Sequence, residues 1–257
     1  MPKKKTLSLK EQRVLFEDNL LFLKAALSKY FKNNYHVMGI DPSLSNTAIA
    51  VNRVGWKKIL FFNSPETIRD LKLKRSAIHR ISLTRDYLVE KIKKFPSFLT
   101  VIEGYSYGSM QARELMGEVG GMIRLNGFFD NPKEVGPVIV VVPSQLKKYI
   151  LGSAQTAGGK KTKQLIILNV FKTFGIEAQN DNEADAIVLV KIGMDLVRFA
   201  ELYGDKTFDG DKEIRDFINN GWQGSEFPKY RWEVLCTLII NKCKRDSMFE
   251  FYNENNI

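Results

Sequence analysis

The sequence predicts an α/β fold built on a mixed β-sheet, with helices on both faces and added segments at both chain ends. Three observations predict it. Apolar runs of strand length recur at residues 35–41, 98–103 and 137–142. Two further strand-like runs, 46–51 and 57–62, lie close enough in sequence to pair antiparallel around a short turn. Segments of helical periodicity then separate and follow the later strands, which is the alternation that covers a sheet on two sides. At 257 residues and 44% hydrophobic composition, the chain holds enough material for one substantial domain with additions.

Taken in order, Ser8 followed by Glu11 has the spacing of a capping box, and Leu15, Leu20, Leu23 and Leu27 supply an apolar stripe for an N-terminal helix. Val37, Met38 and Ile40 form the first strand, stopped by Pro42 and Ser43. The two hairpin strands follow around Arg53 to Trp56. Ile78, Ile81, Leu88 and Ile92 space a helix over about 75–94, and Phe98 to Ile102 make the fourth strand. A long helix is expected over about 109–126, with Gly117, Gly120 and Gly121 allowing close packing. The near-apolar run Val138 to Val142 reads as a buried fifth strand ended by Pro143, with Ser144 capping a short helix. A Gly/Ser/Thr-rich turn is expected at 152–162, then a helix over 163–173 stopped by Gly175, and a last core helix starting near Glu183. Residues 1–34 thus form a helical extension, 35–200 the core, and 201–257 a helical or irregular appendage. Within that appendage Trp222, Phe227, Tyr230 and Trp232 fit packing better than base stacking.

The composition excludes several classes. Cys236 and Cys243 have no paired Cys/His set around them, so neither a zinc knuckle nor a disulfide scaffold is expected, and reduced thiols point to the cytoplasm. No apolar stretch reaches the roughly 18 residues a membrane span needs. Gly158-Gly159-Lys160-Lys161-Thr162 lacks Walker spacing. His36 and His79 stand outside every acid-containing motif, which disfavours a histidine nucleophile.

Asp41 and Glu103 each follow a strand-like run, and Asp185 immediately precedes the apolar run Ala186 to Val190. Three acids at comparable thresholds of separate elements are expected to converge in the fold. Their mutual repulsion then calls for cations, and hard carboxylate ligands favour Mg²⁺, with Mn²⁺ able to substitute.

The net charge is +10, from 39 Lys plus Arg against 29 Asp plus Glu. Lys147, Lys148, Lys160, Lys161, Lys163 and Lys172 fall between residues 142 and 172 with no acid among them. A second basic field spans 72–94. Two such fields flanking an acidic centre suit a polyanion held across it.

The ordered set Gly39-Ile40-Asp41-Pro42-Ser43, Val101-Ile102-Glu103, Pro143 to Lys148, Gly152 to Lys163 and Glu183-Ala184-Asp185-Ala186 resembles the RuvC-like Holliday-junction resolvases, a branch of the RNase H-like nucleases. A viral or mobile-element branch suits the appended segments. The resemblance implies an RNase H-like fold over about 35–200 and metal-dependent phosphodiester cleavage. Asp41 matches the first-strand acid, Glu103 the fourth-strand acid and Asp185 the acid of the final helix. The family places another ligand one helical turn before the last acid; Asp181 and Asn182 both have suitable offsets, and Asp181 is preferred for its charge. Lys147, Lys148, Lys160, Lys161 and Lys163 match or broaden the family's basic motif. The family's aromatic position three residues after the glutamate is Ser106 here, leaving Tyr105 or Tyr107 either to stack on opened bases or to pack the strand-helix joint; Arg113 is a candidate phosphate contact or part of a solvated helical face.

The expected function is therefore that of a crossover junction endodeoxyribonuclease: Mg²⁺-dependent hydrolysis at four-way or related branched DNA, leaving 5′-phosphate and 3′-hydroxyl ends, in recombination or repair. The resemblance also implies a homodimer, in the cytoplasm with DNA, or in a host cell's cytoplasm for a viral chain. The competing expectations are an RNase H-like nuclease for hybrids or replication intermediates, and a noncatalytic nucleic-acid-binding module.

Overall fold

Five strands form one sheet in the order β3-β2-β1-β4-β5. The computed structural model describes residues 7–30, 36–43, 46–53, 59–63, 77–104, 120–121, 138–153 and 159–242. The strands are β1 (His36–Asp41), β2 (Ala48–Arg53), β3 (Leu60–Asn63), β4 (Ser97–Glu103) and β5 (Val138–Val141). The helices are α1 (Leu9–Tyr30), α2 (Ala77–Lys94), α3 (Pro143–Leu151), α4 (Gly159–Phe174), α5 (Asp181–Tyr203), α6 (Asp211–Asn220) and α7 (Lys229–Lys242). β1, β2 and β3 pair antiparallel, as their short connections require, whereas β1–β4 and β4–β5 are parallel. The expected mixed sheet is therefore present.

Strand alternation decides which helix covers which face. Met38 and Ile40 of β1, Ile49 and Val51 of β2 and Ile102 of β4 pack with Tyr87, Leu88 and Ile92 of α2. The intervening residues, Val37 and Gly39 of β1 with Leu99 and Val101 of β4, face α5 on the other side. There Gly39 is required by close approach, because a Cβ would lie on the Ala186 carbonyl oxygen and 2.7 Å from the Val190 nitrogen. Gly193 returns the contact: a Cβ on it would press on Val37 and come 3.0 Å from Val101 Cγ2.

The chain divides into two compact units, Lys29–Met194 and Met1–Ser28 with Asp195–Ile257. In the second, Ser8 and Glu11 form the expected capping box: the Ser8 N–H donates to Glu11 Oε2 at 2.7 Å and the Glu11 N–H to Ser8 Oγ at 3.2 Å. Its core is aromatic. Phe16, Phe199, Tyr203, Phe208, Phe217 and Trp232 meet edge-on or tilted, with Trp232 and Phe199 centroids 4.9 Å apart. The Trp232 indole N–H donates to the Ile218 carbonyl at 2.9 Å, so its polar edge is satisfied inside.

Several element boundaries differ from the sequence expectation. Pro143 opens α3 as its first residue, so Val142, not Ser144, occupies the capping position; the missing proline N–H is no loss there. α4 begins at Gly159 with φ of 63°, so Lys160 and Lys161 ride on a helix instead of a turn. α5 starts at Asp181, two residues before Glu183, because Asn180 Oδ1 accepts the Glu183 N–H at 2.9 Å. The Asn180-Asp181-Asn182-Glu183 run was itself a legible capping signature. The segment 204–224 contains α6. Of the helix expected over 109–126, only Gly120 and Gly121 are described, both helical.

Candidate functional site

The same alternation that sends Gly39 and Val101 toward α5 sends Asp41 and Glu103 there too. Gly39 pairs with Val101 and Ile40 with Ile102, so the two acids stand as neighbours at the ends of parallel strands. Asp185, in the first turns of α5, comes from above that face. Each of Asp41, Glu103 and Asp185 offers a carboxylate oxygen, and these oxygens lie within 4.8 Å of one another. The expected convergence is realised.

Crowding and burial shape the chemistry of the three groups. Asp41 is only 7% exposed. Desolvation, followed by the charges of Glu103 and Asp185, holds its carboxyl well above the usual carboxylate range. Burial also raises Glu103, but its hydrogen bond with Asp41 and the ammonium charges of Lys147 and Lys163 act in the opposite direction. Asp185 is pushed up to about 8 by desolvation and then by the charges of Glu103 and Asp181. Its Oδ1 is buried without a hydrogen-bond partner. An orphaned carboxylate oxygen beside two other acids is the donor set a hard divalent cation fits, since such an ion supplies both the ligand bond and the opposing charge.

Asp181 is not part of this three-acid group. It lies one helical turn before Asp185 and pairs with Lys163 of α4. That contact is the largest influence raising the Lys163 ammonium, with Asp185 and Asp41 adding to it. The Asn182 amide donates to the Asn46 carbonyl at 2.9 Å, so it serves the loop after β1. Lys147 on α3 and Lys163 on α4 both act electrostatically on Glu103. Lys148 is half-buried on α3, while Lys160 and Lys161 are exposed in the first turn of α4. Tyr105, Tyr107 and Arg113 lie outside the described residues.

The described part of the second basic field does not border the acids. Arg80, Arg85, Lys91, Lys93 and Lys94 ride on α2, which covers the opposite face of the sheet; Lys72, Lys74 and Arg75 lie outside the described residues. Sequence reasoning also missed Asn63 and Asn180, which bind the Glu183 carboxylate. Asn63 ends a strand as Asp41 and Glu103 do, and that placement was the available signal.

Among the described residues no helix is long and apolar enough to cross a membrane. No family model and no curated protein matches the chain. Among solved structures, the chain is similar to T. thermophilus RuvC in complex with Holliday junction substrate, at 18% identity and a TM-score of 0.50, over 65% of this chain and 97% of that one. It is also similar to the Thermus thermophilus RuvC structure, at 16% identity and a TM-score of 0.47, over 63% of this chain and 96% of that one. With the sheet order and the flanking helices, the first of these likenesses shows an RNase H-like α/β fold carrying extensions.

Proposed function

We propose that this chain is a divalent-metal-dependent, structure-selective DNA endonuclease of the crossover-junction type, hydrolysing phosphodiesters at four-way or related branched DNA. The observation that carries the reading is the meeting of Asp41, Glu103 and Asp185, with Asp185 Oδ1 left without a partner. In it, Asp41, Glu103 and Asp185 hold Mg²⁺, or Mn²⁺ in its place, and Asp181 completes the set once it exchanges Lys163. Bound cations supply an activated water and stabilise charge on the leaving oxygen. The likeness to RuvC in complex with Holliday junction substrate supports a branched-DNA substrate; the 5′-phosphate and 3′-hydroxyl products and a homodimer that cuts two strands of like polarity are assigned on the sequence resemblance alone.

The chain's own residues do the remaining work. Lys147 and Lys163 set positive charge beside Glu103, where a phosphate would lie, and Lys148, Lys160 and Lys161 extend that charge along α3 and α4. Burial of Asp41 keeps bulk water from screening the centre. Tyr105, Tyr107 and Arg113 are assigned to base and phosphate contacts on the resemblance alone.

Cleavage of a four-way junction, a plain duplex and an RNA–DNA hybrid, each with and without Mg²⁺, tests the proposal. Paired nicks in the junction that vanish in Asp41→Asn, with binding kept, support it. Preferential hybrid cleavage would move the assignment to an RNase H-like activity, and junction binding without any divalent-dependent cutting would leave a binding module.

A further inference from the structure

Glu183 stands two residues from Asp185 on α5, about 200° around the helix, and is only 3% exposed. Its carboxylate accepts the Gln179 N–H at 2.7 Å and an Asn180 amide hydrogen at 3.3 Å, while its own N–H donates to Asn180 Oδ1. Those bonds form a local helix cap, which an exposed glutamate would make equally well. The remaining bond is not local: the Asn63 side-chain amide donates to Glu183 Oε1 across 120 residues of sequence.

Asn63 is the last residue of the edge strand β3. It pairs with Ala48 of β2, and Ala48 pairs with Asp41 of β1. One row across the sheet therefore carries Asn63 at its edge and Asp41 within it, with Glu103 next to Asp41. The first turn of α5 is tied to that row by Glu183 and to the adjoining loop by the Asn182 bond to the Asn46 carbonyl. The Asn63 Oδ1 is buried and without a hydrogen-bond partner. Among the described residues, its amide nitrogen donates to Glu183.

We infer that Glu183 and Asn63 form a positioning pair, which sets the rotation and depth of the start of α5 so that Asp185 meets Asp41 and Glu103 at ligand spacing. The inference rests on the metal-centre reading given above. Neither residue touches a reacting atom. The body of α5 is held elsewhere, by the close packing of Gly39 and Gly193, so loss of the pair releases the first turn while the helix stays in place.

Mn²⁺ titration of the full chain by calorimetry, with no DNA present, tests the pair in Glu183→Ala, Asn63→Ala and the double variant, with thermal unfolding followed in parallel. Groups that orient metal ligands typically govern affinity by roughly ten- to a hundredfold, and each single variant should weaken Mn²⁺ by that factor. The double variant should be no weaker than the worse single one, as expected of residues acting through one contact. A purely capping role predicts that Asn63→Ala binds Mn²⁺ like the wild type, and that result overturns the inference. Should Glu183→Ala fail to fold, Asn63→Ala alone decides. If the wild-type chain takes up no Mn²⁺, the metal-centre reading itself falls, and the positioning role falls with it.

Discussion

Asp41 and Glu103 end neighbouring parallel strands one step beyond the Ile40–Ile102 pair, and the buried Asp41 carboxyl shares with the half-buried Glu103 carboxyl a hydrogen bond that acts to raise Asp41 and to lower Glu103. The raised Asp41 carboxyl favours its protonated form, which lessens repulsion at the metal-free centre. This makes charge removal at the site stabilising in the absence of cations. Asp185→Asn should raise the unfolding temperature in EDTA, by about 2–4 °C for each kcal/mol of relieved repulsion and desolvation. It should also abolish the stabilisation that Mg²⁺ gives the wild type. Thermal unfolding of both proteins with EDTA and with Mg²⁺ checks this, and equal Mg²⁺ stabilisation of the two would remove Asp185 from the ligand set.

The pH dependence follows from the same burial. Asp185 is raised from an ordinary value of 3.8 to about 8. Between those values the folded chain holds a proton that the unfolded chain has released. Its contribution therefore favours folding at low pH, and that contribution is lost as pH rises from about 4 through about 8. Chemical denaturation in EDTA should show the Asp185→Asn variant losing less stability than the wild type over this interval. Cation binding must displace the same proton, so Mn²⁺ affinity should rise across it.

Much of this centre was legible before the fold was known, because strand ends mark themselves. Pro42 after Asp41 and Gly104 after Glu103 announce where apolar runs stop, and alternation then fixes which face each acid takes. The α5 face was harder to foresee: only the sheet register shows that Gly39 and Val101 share a side, and hence that Asp41 and Glu103 do. The Arg80–Lys94 part of the second basic field misled for a related reason. A helix's charge says nothing about which face of a sheet its apolar stripe will cover. The strand-end placement of Asn63 was a signal for the residue itself, but nothing local marks its partner Glu183, 120 residues away.

Gly39 gives the most direct test of how closely α5 must approach. Gly39→Ala places a methyl group against the Ala186 carbonyl and 2.7 Å from the Val190 nitrogen, both backbone atoms that cannot rotate aside. Overpacking of this kind costs about 1–3 kcal/mol. The displacement occurs at Ala186, next to Asp185 in the chain, so the variant should lose Mn²⁺ affinity as well as stability. Denaturant unfolding and Mn²⁺ calorimetry on the same preparation measure both, and a variant as stable as the wild type would show that the helix sits farther from β1.

Lys163 joins the acidic centre to the basic track. Its ammonium pairs with Asp181 while lying within the fields of Asp185 and Asp41, and 61% of its side chain remains exposed. An ion pair so open to water is readily exchanged for a phosphate. When DNA arrives, the lysine should trade Asp181 for the backbone, leaving that carboxylate free to turn toward the other three. Lys163→Ala should then reduce the slope of log affinity against log salt by about 1, the signature of one lost phosphate contact. Asp181→Asn should tighten binding in EDTA, because the lysine no longer has to leave a partner, while slowing cleavage in Mg²⁺. Junction binding across a salt series, with Asp41→Asn as the parent, reads the first effect, and Mg²⁺-dependent cleavage by Asp181→Asn in the otherwise wild-type chain reads the second. An unchanged slope in Lys163→Ala would show that the lysine serves only Asp181.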